Sequence, residues 1–139
     1  MIENFSQILY QLKLVNQNMT NLFESKIGIS LTRFQLLIFL QSHEPCSQIR
    51  LQEGLKIDQA AITRHIKVLV NDGYLVKERN PKNNREILVS LTSKAKEKLG
   101  KCQNAEELKQ DFLKADLTNS DLMLLAQLLE KMNTAISQK

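Results

Sequence analysis

The residues best suited to chemistry in this 139-residue chain are its basic side chains, and they are clustered. Residues 56–101 hold eleven Lys and Arg against five Asp and Glu, a net charge of +6, whereas residues 1–55 are neutral and residues 102–139 carry −2. A localised positive field of this kind is what a polyanion-binding surface needs. The same pattern also fits a solvated basic face without a partner, and charge alone does not separate the two readings.

Catalytic and metal chemistry find little support in the sequence. It has no Gly-rich phosphate loop and no nucleophile elbow, and its carboxylates are scattered along helical stretches. His43 and Cys46 form an H-x-x-C pair, but zinc needs three or four ligands and no histidine follows His65. We therefore expect no enzyme activity, no metal and no cofactor.

The cysteines favour a reducing compartment. Cys46 and Cys102 are too few for a disulfide framework, and neither has a resolving partner nearby in sequence. Structural thiols are expected rather than redox sensors, although the sequence leaves their redox activity open. The longest apolar run, residues 36–40, is too short to span a membrane, and the first residues lack the basic flank of a signal peptide. We expect a cytoplasmic protein.

The elements that position the basic residues are mostly helical. Apolar residues recur at three- and four-residue steps in residues 2–24 and 122–136, which predicts an amphipathic helix near each end. Residues 34–40 are nearly all apolar, so this second helix must be buried on most sides. Residues 118–121 fit a capping box at the start of the last helix.

Capping residues predict where the central helices begin and end. A capping box from Thr32 to Gln35 predicts the start of the second helix. Ser47 and Asp58 are suited to cap a short third helix and a fourth helix. Gly73 is suited to the left-handed position that ends the fourth helix.

A hairpin and a further helix follow. The β-branched stretches at residues 74–79 and 86–91 predict two strands, and the Asn- and Pro-rich residues 80–85 predict a longer loop between them. Thr92 is suited to cap a long helix that includes Gly100. The order of elements predicts a mostly α fold with a small β-hairpin.

This order is typical of a winged helix-turn-helix inside a helical frame. A short helix braces a second one, which is narrow enough to lie in the DNA major groove, roughly 12 Å wide. The basic hairpin beside it can reach phosphates or the minor groove. We predict a single domain over residues 1–139, with a DNA-binding lobe at about 32–92 and helical regions at about 1–28 and 93–139.

Residues 46–92 resemble the MarR family (multiple antibiotic resistance regulators). The combined pattern is strong, although no single segment is specific by itself. The segments that carry it are Ile57-Asp58-Gln59-Ala60-Ala61-Ile62-Thr63-Arg64-His65-Ile66 with Leu69, then Asp72-Gly73-Tyr74-Leu75-Val76, Arg79-Asn80-Pro81-Lys82-Asn83-Asn84-Arg85 and Val89-Ser90-Leu91-Thr92.

The resemblance implies a homodimeric transcription regulator, usually a repressor, that binds pseudo-palindromic double-stranded DNA. In the family the N- and C-terminal helices of both subunits form the dimer interface, which fits the apolar stripes at both ends of this chain. A helix-turn-helix dimer places its two reading helices about one DNA turn, roughly 34 Å, apart. The dimer frame therefore sets the geometry of recognition.

The fourth helix is the expected reading helix. Gln59 can hydrogen-bond adenine, the small alanines let the helix approach thymine methyls, and Arg64 suits guanine or phosphate. The alternative for the alanines is that they are simply good helix formers. His65 and Lys67 are either neighbours of the DNA backbone or solvated. The candidate contacts are Gln59, Ala60, Ala61, Thr63, Arg64 and Lys67.

Arg85 is the expected contact at the wing. The family has an Asp-x-Arg pair at the wing tip, where the Asp orients an Arg that enters the minor groove or grips a phosphate. Here Asn83 takes the place of the Asp, so the pair lacks a charge-assisted hydrogen bond. A solvated hairpin is the alternative for the other basic residues of the wing, the candidate phosphate contacts Lys77, Arg79 and Lys82.

The turn before the reading helix departs from the family pattern. The family often has Gly where this chain has Lys56, and Gly54 lies two residues earlier. Gln52 stands where a small residue commonly packs between the two helices. These departures concern how the two helices cross rather than the fold.

The resemblance also implies a small aromatic effector. Members often bind phenolic or aromatic ligands in a cleft between the dimer helices and the DNA-binding lobe. The candidate lining residues are Met19, Phe23, Phe34 and Ile38, for which ordinary core packing is the alternative.

The leading hypothesis is a ligand-responsive, DNA-binding repressor, and the alternative is a helical protein-interaction module built on a degenerate winged helix. The sequence leaves open the operator, the regulated genes, the identity of any effector, and the choice between repression and activation.

Overall fold

The computed structural model of the protein describes residues 4–101 and 103–137, with only the backbone at residues 103–105 and 112. Residues 4–101 form one compact unit and residues 103–137 a second. None of the helices in these two ranges combines the length and the apolar character that a membrane span requires. The elements in chain order are α1 (Phe5–Ile27), α2 (Leu31–His43), β1 (Cys46–Ser47), α3 (Gln48–Leu55), α4 (Gln59–Asn71), β2 (Leu75–Asn80), β3 (Asn83–Leu91), α5 (Ser93–Gly100), α6 (Gln103–Lys114) and α7 (Asn119–Ser137).

The prediction that Thr32 begins the second helix was wrong. The α2 N-cap is Ser30, whose hydroxyl accepts a hydrogen bond from the N–H of Arg33. Thr32 is the second residue of the helix. Both residue types cap helices well. The earlier one takes the position because Gly28, with φ +91°, ends α1 just before it.

The predicted caps of the central helices are confirmed. Ser47 caps α3 by accepting from the N–H of Arg50 at 3.1 Å, and Asp58 caps α4 by accepting from the N–H of Ala61 at 2.8 Å. Gly73 has φ +81°, and its N–H donates to the carbonyl of Val70. This left-handed residue satisfies carbonyls that the end of α4 would otherwise leave unpaired.

The hairpin is longer and its turn is tighter than predicted. Strands β2 and β3 pair antiparallel from Leu75↔Leu91 to Asn80↔Asn83, with an irregularity between Arg79 and Asn80. Because β3 begins at Asn83, only Pro81 and Lys82 lie outside the strands, whereas the sequence predicted a loop over residues 80–85.

A third strand was missed by the sequence analysis. The short β1 pairs with β3 through Cys46↔Val89 and Ser47↔Leu88, which gives the strand order β1-β3-β2. The wing, which is formed by β2 and β3, is therefore paired with Ser47, the residue that caps α3. This pairing joins the wing to the helix-turn-helix.

One core holds α2, α3, α4 and the sheet together. Its most deeply buried residues come from α2, α3, α4 and the sheet, and each has 2% or less of its surface exposed. Burying a Leu or Ile side chain contributes about 1.5–3 kcal/mol, so this core fixes how the helices and the wing pack together. The residues are Leu36, Leu37, Leu40, Cys46, Leu51, Ile62, Ile66, Leu69, Leu75 and Val89.

The long helix predicted after Thr92 is two helices. Thr92 caps α5 as expected, accepting from the N–H of Ala95, but α5 ends at Gly100 and α6 begins at Gln103. Glycine lowers helix stability by about 1 kcal/mol relative to alanine, which favours a break there. The predicted capping box of the last helix is confirmed, because the N–H of Asp121 donates to Thr118 Oγ1 and the N–H of Thr118 donates to Asp121 Oδ2.

Candidate nucleic-acid interface

Helix α4 has one buried face and one exposed polar face. Its buried face holds Ile62, Ile66 and Leu69, each 2% exposed or less. Of the predicted contacts on the helix, Ala61 is half-buried and the other five are exposed. These five lie at steps that place them along one side of the helix, away from the core. They are Gln59, Ala60, Thr63, Arg64 and Lys67.

A hydrogen bond between two helices holds the start of α4 in place. The side-chain amide of Gln48, the first residue of α3, donates to Thr63 Oγ1 at 2.7 Å. The Thr63 hydroxyl in turn donates to the carbonyl of Gln59 at 2.8 Å. The single hydroxyl proton of Thr63 is thus used within α4, and the bond that its oxygen accepts from Gln48 links α4 to α3. The sequence analysis missed Gln48, because the two partners are fifteen residues apart and no local pattern joins them.

The wing is stiffened by side chains that bond its own backbone. Arg79 donates from Nη1 to the carbonyl of Asn84 at 2.7 Å, across the hairpin turn. Asn80 bonds twice, from Nδ2 to a carboxylate oxygen of Glu86 at 2.9 Å and through Oδ1 from the N–H of Lys82 at 3.0 Å. Side chains that hydrogen-bond local backbone in this way pin the shape of a turn. The predicted contacts Lys77, Arg79, Lys82 and Arg85 are all exposed.

Asn83 holds the backbone of Arg85. Its Oδ1 accepts from the Arg85 N–H at 3.2 Å. Within the part of the chain that the structure describes, the guanidinium of Arg85 has no hydrogen-bond or ion-pair partner. The amide at position 83 therefore orients the chain that carries the arginine and leaves its five N–H donors open to an external acceptor.

Helix α4 and the wing meet at one groove. A groove of about 340 Å³ is lined by Gln59 from α4, by Asn83 and Arg85 from β3, and by residues near the start of α3. Two predicted contacts from different elements, Gln59 and Arg85, thus share one cleft. The sequence analysis did not predict the lining residues at the start of α3 as part of this site. They are the N-cap Ser47 and, from α3 itself, Gln48, Ile49 and Gln52.

His65 is half-buried on α4 and differs from its solvated neighbours. Burial lowers the pKa of its imidazole below the usual value, and the positive charges of Arg33 and Arg64 lower that pKa further. Its Nδ1 is buried without a hydrogen-bond partner among the described residues. The ring borders a second, open groove of about 480 Å³ between α2, α3 and α4. The neutral ring is therefore the favoured form.

The turn between α3 and α4 shows how the departures from the family pattern are accommodated. Lys56 has φ +58° and ψ +45°, the left-handed conformation that glycine adopts without strain. The close approach between helices occurs at Gly54, where an added Cβ would lie 2.5 Å from the Phe39 ring. Gln52 is half-buried and lines the groove beside the wing.

The residues predicted for an effector lie on α1 and α2. Phe23 packs edge-on against the buried Phe34, with ring centroids 5.2 Å apart. Met19 is half-buried and Ile38 is exposed. The aromatic pair fits core packing, and the exposed Ile38 adjoins it on α2.

His43 and Cys46, the candidates for metal and redox chemistry, are each held in a local contact or buried. His43 stacks on Phe39, and its Nδ1 lies 2.8 Å from the Phe39 carbonyl oxygen. Cys46 is buried, and burial raises the pKa of its thiol. Cys102 lies outside the described residues. Over residues 4–101 and 103–137, no three His, Cys, Asp or Glu side chains are grouped as metal ligands would be.

The comparisons with known proteins agree with one another. The family model described as "MarR family" matches residues 29–87. The chain is 36% identical, over 135 residues, to YdgJ of Bacillus subtilis strain 168, an uncharacterized HTH-type transcriptional regulator, and the match covers 95% of this chain and 80% of that protein.

Two solved structures are similar to this chain over 90% or more of its length. A probable transcriptional regulator from Pseudomonas aeruginosa superposes with a TM-score of 0.81 at 28% identity, over 90% of this chain and 96% of that one. A mutant of Escherichia coli MarR complexed with operator DNA superposes with a TM-score of 0.79 at 25% identity, over 94% and 99% of the two chains.

Proposed function

The chain belongs to the MarR family of DNA-binding transcriptional regulators, and we propose that it acts as a homodimeric repressor on a pseudo-palindromic operator. Residues 32–92 serve as the DNA-binding lobe, and residues 1–28 and 93–139 as the dimerisation region. Bound to its operator in the cytoplasm, the dimer excludes RNA polymerase and performs no catalysis. The alternative of a protein-interaction module is not favoured, because the relatives are regulators and one structural neighbour is bound to operator DNA.

The observation that carries this proposal is the shared groove of Gln59 and Arg85. A reading helix in the major groove and a wing at the adjacent backbone must contact one duplex together. Gln59, Arg64 and the alanines supply contacts to base edges, and Lys67 and the wing supply contacts to phosphates. Thr63, whose proton is bonded within α4, holds the helix in position beside them. The wing contacts are Lys77, Arg79, Lys82 and Arg85.

Dimerisation is supported by apolar surface in each of the two units. Helix α1 exposes a row of large apolar side chains that includes Phe5 and Leu9, and α7 exposes another that includes Leu125, Leu128 and Leu129. Exposed apolar faces of this extent mark association surfaces. Both faces bury against the second copy of the chain.

The dimer is tested by light scattering. The parent should show twice the 16.0 kDa mass of the chain, whereas Leu9→Asp and Leu128→Asp should each give monomers that keep their helical content. Val76→Asp is the matched control, because Val76 is also exposed and apolar but lies on β2. A parent that runs as a monomer contradicts the proposal.

DNA binding is tested by fluorescence anisotropy with sites selected from genomic DNA. Log affinity should fall linearly with log salt, with a slope of about −0.9 for each phosphate neutralised. Arg64→Ala should weaken binding to the selected site by about 1–3 kcal/mol. Lys101→Ala removes the same charge outside the groove and should change the affinity far less. Equal affinity for a scrambled duplex, or an affinity that does not change with salt, would contradict the proposal.

A small aromatic effector completes the proposal. Such a ligand binds beside Met19, Phe23, Phe34 and Ile38 and favours a dimer whose reading helices are wrongly spaced. Titration of hydroxylated benzoates and related phenols into the protein–DNA complex should release the DNA. Ile38→Glu should abolish that release while DNA binding persists. Release that Ile38→Glu leaves unchanged contradicts this site.

A further inference from the structure

The carboxyl end of helix α4 is in contact with Lys94 of α5. Lys94 donates from Nζ to the carbonyl of Asp72, the C-cap of α4, at 2.6 Å. The same ammonium lies 4.7 Å from the centroid of the Tyr74 ring, and the Lys94 side chain lies against Gly73. Thr92, the N-cap of α5, donates from Oγ1 to the carbonyl of Gly73 at 2.7 Å. The carboxyl end of the reading helix is thus bonded to the first turn of α5.

Helix α1 ends in the same way one turn further along α5. Lys98 donates from Nζ to the carbonyl of Ile27, the last residue of α1, at 2.5 Å. Gly28 follows with φ +91°, and a Cβ at that position would lie 3.3 Å from the lysine Nζ. The glycine therefore leaves the space that the ammonium group occupies.

The two contacts repeat one arrangement. In each, a helix ends in a left-handed glycine and a lysine of α5 donates to one of the last carbonyl groups. Cations are stabilising at that end of a helix because the unpaired carbonyls carry a partial negative charge. Lys94 and Lys98 are four residues apart and so project from the same face of α5. Ala95, between them, is fully buried, so this part of α5 is packed in the unit.

We propose that Lys94 and Lys98 are positioning residues for DNA recognition. By capping α4 and α1 together, α5 holds the reading helix at a fixed orientation to α1. The inference rests on the proposed function, in which α1 belongs to the dimer frame. It follows that the two lysines set the separation of the two reading helices and hence the half-site spacing that the dimer accepts.

Neither lysine acts as a phosphate contact in this arrangement. The Lys94 ammonium is held by a carbonyl and an aromatic ring, and the half-buried Lys98 lies on the end of α1. The wing lysines Lys77 and Lys82 differ, because among the described residues their ammonium groups have no hydrogen-bond or ion-pair partner. The salt dependence of DNA binding separates the two roles, since only a phosphate contact contributes to the slope.

The first part of the test uses the protein without DNA. The variants are Lys94→Met and Lys98→Met, and the control is Lys101→Met, whose ammonium pairs with Glu97 one turn earlier. Amide exchange should rise about tenfold at residues 69–74 in Lys94→Met, and at residues 24–29 in Lys98→Met, as the loss of a charge-assisted bond predicts. Exchange that matches the control at both segments overturns the inference.

The second part compares operators with the native half-site spacing and with one inserted base pair. The parent and Lys101→Met should bind the native spacing much more tightly. In Lys94→Met and Lys98→Met that preference should shrink about tenfold, with the salt slope unchanged and the dimer intact. A slope that falls by about 0.9 identifies a phosphate contact and overturns the positioning role, as does an unchanged spacing preference.

The two parts keep this inference separate from the proposed function. If the parent binds no specific DNA, the proposed function fails and the positioning role fails with it, while the exchange data still decide whether the caps exist. If the parent binds and the variants keep its spacing preference, only the positioning role fails.

Discussion

The amide of Gln48 and the hydroxyl of Thr63 are 2.7 Å apart, and this bond ties the first turn of α3 to the exposed face of the reading helix. The same hydroxyl bonds the carbonyl of Gln59, at the start of α4. Gln59 and Gln48 also line the groove that contains Arg85. The groove is therefore braced from within the helix-turn-helix.

The Gln48–Thr63 bond should be measurable as a coupling energy. We expect Gln48→Leu and Thr63→Val to show a coupling of about 0.5–1 kcal/mol in the free energy of unfolding, because both remove the same exposed hydrogen bond. Urea unfolding of the two single variants and the double variant, without DNA, gives this value. In the Thr63→Val background, Gln48→Leu should cost little more. Fully additive effects would mean that the bond is not formed in solution.

Arg85→Ala should weaken DNA binding at every sequence tested and leave the dimer intact. The exposed guanidinium has no hydrogen-bond or ion-pair partner among the described residues, so its loss should reduce the salt slope by about 0.9 if it grips one phosphate. Anisotropy at several salt concentrations and light scattering measure the two properties. Lys101→Ala, with the same loss of charge, is the control. A variant that becomes monomeric would show that the wing has been misassigned.

Lys56→Gly should stabilise the protein. Lys56 is held at φ +58°, where a side chain costs about 1–2 kcal/mol, and glycine removes that strain while making the unfolded chain somewhat more flexible. The net gain should be about 0.5–1 kcal/mol in the free energy of unfolding. Lys67→Gly makes the same replacement inside α4 and should instead destabilise by about 1 kcal/mol. If Lys56→Gly also destabilises, the left-handed turn is not populated.

Hydrogen bonds between residues close in sequence could be predicted from the sequence, and contacts between distant segments could not. The caps at Ser47, Asp58 and Thr92 were found because each cap bonds an N–H three residues away. The second helix was placed wrongly because Ser30 and Thr32 are both suitable caps, and the left-handed turn at the end of α1 decides between them. Such a choice depends on how the preceding helix ends.

The sheet and the groove show the same limit. Strand β1 consists of two residues whose partners lie more than forty positions away, and backbone pairing of that kind leaves no side-chain pattern. Helical periodicity identified the exposed face of α4, but it carried no information about which residues of α3 or β3 would lie beside it. The contact of Gly54 with Phe39 likewise became evident only from the packing of α2 on α3.

His65 should make the folded state sensitive to acid. Burial and two neighbouring arginines lower the pKa of its ring, so the unfolded chain takes up a proton at a higher pH than the folded protein does. The resulting stability is present above the unfolded pKa of about 6.5 and is lost as the pH falls through the folded value. The free energy of unfolding, measured with urea from pH 7.5 to 5, should fall along this range. His65→Gln removes the titrating ring and should flatten the dependence over that range. A profile that is equally steep in the parent and in His65→Gln would assign the acid sensitivity to other groups and contradict the lowered pKa.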